Sequence, residues 1–224
     1  MTHWPSTAHE LVEEQARLAL APADPWAPEP ACRVGGCFVC FPRGPHGVGR
    51  AGDRAWAAAA LGHVVTVIMG AAGAPYEPGL LALREGALLE RAVRALSEAP
   101  DALLVNATGR DHPRRAGLAV HLGAVLDLPT VGVTHRTLLA GGGWPPDTPG
   151  ARSPLLLDGE QVGWWLRTRV GARPLAVHAG WRTDPDTAAA LVLSSTSRAR
   201  TPEPLRCARR AARRARALAG VVDL

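Results

Sequence analysis

Apolar and polar positions along this chain follow two spacings, and the order in which the spacings appear predicts an architecture. Leu11, Ala16, Leu18 and Leu20 recur at helical spacing with charges between them, which predicts a helix over Ala8–Leu20. The Pro-rich stretch Ala21–Pro30 reads as an extended connector. Arg33–Phe41 then reads as a buried strand, Pro42–Gly49 as a turn-rich loop, and Arg54–Leu61 and His63–Met69 as two further strands. Three strands in succession with short connections predict an antiparallel meander.

After a rigid turn, Pro75–Gly79, the spacing changes. Leu81, Leu88, Leu89, Val93 and Leu96 form one apolar face of a helix over Leu80–Glu98. Ala102–Asn106 and Thr130–Thr134 are short, wholly apolar strands, with a helix over Gly117–Leu126 between them. Apolar strands alternating with helices imply parallel pairing. Leu155–Leu157, Gln161–Arg169 and Leu175–His178 predict an outer hairpin and strand, followed by helices at Thr187–Leu193 and Leu205–Leu218. A meander followed by β-α-β-α-β is the element order of an RNase H-like α/β fold. The expectation is a central mixed sheet, antiparallel then parallel, flanked by helices. No repeat or second domain is visible, so residues 1–224 read as one domain with a basic helical segment over 205–218. Such folds gather acidic residues at strand ends to hold two divalent metals for phosphodiester cleavage.

Composition changes this picture in two places. The net charge is +5, and Arg206, Arg209, Arg210, Arg213, Arg214 and Arg216 alone supply six positive charges. The rest of the chain is near neutral, so the charge reads mainly as one solvated basic segment, compatible with an anionic partner. Four cysteines are present, and Cys37 and Cys40 form a C-x-x-C without the second pair a zinc site needs. They read as buried thiols. The apolar runs fall short of the roughly 20 residues of a membrane span, and the start lacks a signal-peptide pattern; a soluble cytoplasmic protein with no membrane partner is expected.

The densest signals are GRDHPRRAG (Gly109–Gly117) continuing to Val133, PYEPGLLALRE (Pro75–Glu85), RPLAVHAGWR (Arg173–Arg182) and RTPEPLR (Arg200–Arg206). Together, in this order, they resemble the endonuclease V family, which nicks nucleic acid near deoxyinosine. The resemblance implies a metal-binding set and shows where it has changed. The family's first Asp corresponds to Cys37, its Glu is kept as Glu85, and its second Asp corresponds to Asn106, with Ala107 in place of a Gly. A family Lys corresponds to His135, and a family His to Trp181. The resemblance also makes the turn around Tyr76 the counterpart of a strand-separating wedge. It places His112, Arg114 and Arg115 beside the cleft as an anion-binding group or, alternatively, as structural partners of buried acids.

Magnesium prefers hard anionic oxygens, thiolate ligands suit softer metals, and Asn carries no charge. The expectation is therefore no resident metal or cofactor, with magnesium only if nuclease activity is retained. A migrated site using Glu85 with His178, Asp111, Asp184 or Asp186 competes with a helix-capping reading of Asp184 and Asp186. Cys37, Glu85, Asn106 and His135 are expected around one cleft as nucleophile, base, hydrogen-bond donor and acid, or as a reshaped pocket in which Cys37 and Trp181 fill space. Three function classes follow. The first is an enzyme subunit for a small molecule, with natural-product assembly such as aziridine-type ring closure as one setting. The second is a silent partner of a more intact homologous subunit, as a heterodimer or homodimer. The third is a nucleic-acid binder or deoxyinosine-directed nuclease. The first two are preferred on the changed residues alone.

Overall fold

A computed structural model of the chain describes residues 4–21, 25–42 and 49–222. Its elements are α1 (Ala8–Leu20), β1 (Val34–Cys40), β2 (Arg54–Leu61), β3 (Val64–Ala71), α2 (Leu81–Arg94), β4 (Ala102–Val105), α3 (Leu118–Leu126), β5 (Thr130–Thr134), β6 (Arg152–Leu157), β7 (Glu160–Leu166), β8 (Leu175–Ala179), α4 (Pro185–Ser194) and α5 (Glu203–Val222). The loop expected over Pro42–Gly49 lies largely outside the described residues, as do residues 22–24 of the connector.

The predicted α/β fold is borne out. One mixed sheet runs in the order β3-β2-β1-β4-β5-β8-β7-β6. β1, β2 and β3 pair antiparallel, β1 with β4 and β4 with β5 pair parallel, and β8 returns antiparallel to β5. The register of β1 on β4 places Cys37 opposite Val105. β6 starts at Arg152, earlier than expected, since its edge position lets the strand run through Pro154. α2 stops at Arg94, before the expected Glu98, shortly ahead of Pro100.

Helices cover both sheet faces, and the pleat decides which residue meets which helix. Cys37, Leu103 and Val105 pack with Leu88, Leu89, Val93, Leu118 and Leu122 of α2 and α3. Leu104, Val131 and Val133 pack with Leu191 and Val192 of α4 and Leu205 of α5, and Phe38 packs with Ala208 and Ala212 of α5. A Cβ on Gly36 would lie 2.6 Å from the Pro204 carbonyl carbon, so glycine there lets the start of α5 rest directly on β1. That contact fixes where the arginines of α5 project. No helix among the described residues is long and apolar enough to cross a membrane.

Candidate functional site

The four residues expected around one cleft divide between the two faces of the sheet. Cys37 and Glu85 lie on the α2 side. Cys37 is fully buried. Burial, reinforced by the nearby Glu85 charge, pushes its thiol well above the ordinary range. Glu85 lies in the first part of α2, and burial pushes its carboxyl up to about 8 against the pull of Arg84. At neutral pH the pair is mainly a thiol beside a carboxylic acid.

Arg84, the neighbour of Glu85, is a scaffold residue that sequence reasoning did not single out. Its buried guanidinium donates to the Arg50 carbonyl (2.9 Å) and the Ala74 carbonyl (2.8 Å) and pairs with Asp53 at 2.9 Å. It also stacks 4.0 Å from the centre of the Phe41 ring. These contacts tie α2 to the loop that leads into Tyr76.

Asn106 and His135 follow β4 and β5. Both lie in bends just past their strands, so their contacts, not the pleat, show what they meet. There Asn106 meets a group absent from the expected set. The Nη2 of Arg209, on α5, donates to Asn106 Oδ1 at 3.4 Å. The Arg209 guanidinium lies 5.3 Å from the Phe38 ring centre. Partial burial, then the charges of Arg200 and Arg209, lower the pKa of His135. Cys37 thus has Glu85 as its charged neighbour, while His135 has Arg200 and Arg209. Spacing alone did not single out Arg209, because Arg206, Arg210 and Arg213 have the same spacing as the row that contains it. Arg209, Arg213 and Arg216 recur at i, i+4 and i+7. The first two lie over Phe38, and the third donates to the Phe41 carbonyl at 3.1 Å.

The remaining expected residues lie elsewhere. Tyr76 is exposed at 48%, on a turn closed by Gly79 at φ +81°. The Gly79 carbonyl accepts from Arg114 Nη2 (3.0 Å) and Gln15 Nε2 (3.1 Å), with His112 Nε2 at 3.1 Å. Burial lowers His112 to about 4, so its ring is neutral at pH 7. Arg114 also donates to Gln15 Oε1, and Arg115 donates to the Leu157 carbonyl and Asp158. His112 and Arg114 therefore anchor the Tyr76 turn, and Arg115 anchors the β6–β7 turn.

Trp181 is not at the strand ends that carry Asn106 and His135. β8 runs antiparallel to β5, so the residue after β8 emerges beside Thr130, at the start of β5. Trp181 packs there with Leu18, Ala116 and Val120. Asp184 caps α4 by accepting from the Thr187 amide at 2.7 Å, as the capping reading predicts. Asp111 is fully buried and accepts from the amides of Leu138, Leu139 and Ala140, with His178 Nδ1 at 3.8 Å.

These donors do not fit magnesium. At the family positions stand a thiol, a carboxyl that favours its proton and an amide already facing a guanidinium. Among the described residues no group of three or more His, Cys, Asp or Glu side chains is placed to hold a metal. Magnesium needs hard anionic oxygens in near-octahedral array.

Comparison with known proteins supplies the remaining finding. The chain matches the family model described as Endonuclease V over residues 39–210. Endonuclease V of Gloeobacter violaceus is 35% identical over 222 residues, covering 92% of this chain and 85% of that protein. That of Roseiflexus sp. is 43% identical over 134 residues, and the match spans 60% of each chain. The solved structure of Endonuclease V from Streptomyces avermitilis superimposes with a TM-score of 0.83 at 33% identity, covering 98% of this chain and 97% of the other. The human protein superimposes with a TM-score of 0.80 at 31% identity, covering 96% and 100%.

Proposed function

The chain belongs to the endonuclease V family, and on that premise we propose that it binds nucleic acid containing deaminated bases without magnesium-dependent cutting. The observation that carries the reading is the division of the site. The carboxyl kept from the family, Glu85, is pushed up to about 8, and the amide at the second acidic position faces Arg209. A kept carboxyl that holds its proton, with a guanidinium at the second acidic position on the other side of the sheet, favours holding a phosphate there over assembling metal. The exposed Tyr76, on its anchored turn, is available to stack on a base.

The family relationship supports a nucleic-acid ligand better than the small-molecule biosynthetic or silent-partner roles that the changed residues alone suggest. The test is incubation with an inosine-containing duplex and strand in Mg²⁺ or Mn²⁺, read by denaturing gel and by gel shift. The expected result is a shifted but intact strand. Specific nicking that Glu85→Gln abolishes would overturn the proposal.

A further inference from the structure

The α4/α5 side of the sheet carries a concentration of arginine whose structural bonds, such as Arg200 Nη2 to the Pro174 carbonyl at 3.0 Å, leave part of two guanidiniums unused. Arg209 and Arg200 are both half-buried. The Nε atoms of both are buried and have no hydrogen-bond acceptor among the described residues. Burial lowers both, and in each case the neighbouring charges are positive: Arg213 and Arg200 act on Arg209, Arg173 and Arg167 on Arg200. Among the described residues no carboxylate lies within ion-pair distance of Arg200, Arg209 or Arg213. A cluster of like charges with buried, unused donors costs free energy in the unliganded protein, and an anion with several oxygens would relieve both costs at once.

The placement adds chemistry to the charge. α5 is seated on Gly36 of β1, which brings Arg209 against Asn106 at the end of β4. With Oδ1 turned to the guanidinium, the Asn106 amide offers its NH₂ to other groups. His135 follows β5 and adds a ring nitrogen beside the same arginines.

We propose that Arg209 and Arg200, with Asn106 and His135, form a phosphate-binding site in which guanidinium charge stands in place of metal. The site takes a phosphodiester of a bound strand, and inorganic phosphate is its simplest probe. This rests on the nucleic-acid reading above and deepens it by naming what holds the strand.

The experiment measures binding of a fluorescent inosine-containing single strand in EDTA across a salt series, for wild type, Arg209→Ala, Arg209→Lys, Arg200→Ala and Arg214→Ala. Arg214 is exposed on α5, and its replacement removes the same charge away from the site. The expected result is a loss of about tenfold or more in Arg209→Ala and Arg200→Ala, with a salt slope reduced by about one, and partial recovery in Arg209→Lys. Arg214→Ala should stay much closer to wild type. The melting temperature of Arg209→Ala should equal or exceed that of wild type at low salt, which separates a ligand role from a structural one. Wild-type binding with Arg209→Ala and Arg214→Ala weakened equally would overturn the site and leave the nucleic-acid reading standing. Should wild type fail to bind the strand, that reading falls, and thermal shift with inorganic phosphate decides the site. A rise in wild type that Arg209→Ala lacks supports the site, and no rise in wild type overturns it.

Discussion

Cys37, in the middle of β1, and Asn106, just past the end of the neighbouring parallel strand β4, both stand where the family carries an aspartate, yet they face different environments. On the α2 side Cys37 is enclosed by Leu103, Val105 and the aliphatic residues of α2, with one carboxyl nearby. On the α5 side Asn106 touches a guanidinium, and further arginines lie behind it. Cys37 is paired with Val105, the last residue of β4, while Asn106 sits in the bend that follows and meets α5. The comparison teaches that restoring an acid at either position is not one operation. On one side it buries an uncompensated charge, and on the other it supplies a partner.

The largest expected effect breaks the α2 side. Cys37→Asp should destabilise the protein by about 3–5 kcal/mol in EDTA, the usual cost of a buried charge left uncompensated, measured by urea unfolding. Near-wild-type stability in this variant would mean that the α2 side is wetter than its packing implies. Gly36→Ala is the next perturbation, since the added methyl must displace the Pro204 backbone. A loss of about 1–3 kcal/mol is expected, together with weaker strand binding because α5 carries Arg209.

The same acid placed on the other side should behave differently. Asn106→Asp should change stability by no more than about 1 kcal/mol, in the favourable direction, because the new carboxylate lies beside Arg209. It should also weaken strand binding by occupying the guanidinium. Glu85 sets a dependence on pH and not a single-condition effect. Its carboxyl is raised from 4.5 to about 8 in the folded protein, so the folded state holds a proton that the unfolded chain releases across this interval. Wild-type stability should therefore fall as pH rises from about 4.5 to about 8. Glu85→Gln should flatten that slope and melt higher than wild type at pH 8. An unchanged slope would remove Glu85 as its source.

Much of the scaffold was legible from residue spacing. The meander over Arg33–Met69 and the apolar strands Ala102–Asn106 and Thr130–Thr134 appear as predicted, because fully buried strands and an amphipathic helix leave strong periodic signals. The site was legible only in part. Motif matching selected Glu85, Cys37, Asn106 and His135, but spacing along the chain carries no information on the bend after β4 in which Asn106 meets α5. Trp181 was misplaced because motif order does not show that β8 reverses direction beside β5. Arg209 was passed over because it lies among six arginines that read together as a solvated segment. Only the close seating of α5 on Gly36 distinguishes it from Arg214.

The most direct test of the account is the affinity for an inosine-containing strand measured twice at equal ionic strength, once in EDTA and once in Mg²⁺, with the strand recovered afterwards. The account predicts dissociation constants within about twofold of each other, a steep salt dependence in both, and an intact strand. Binding that appears only with Mg²⁺, accompanied by nicking beside inosine, would contradict it.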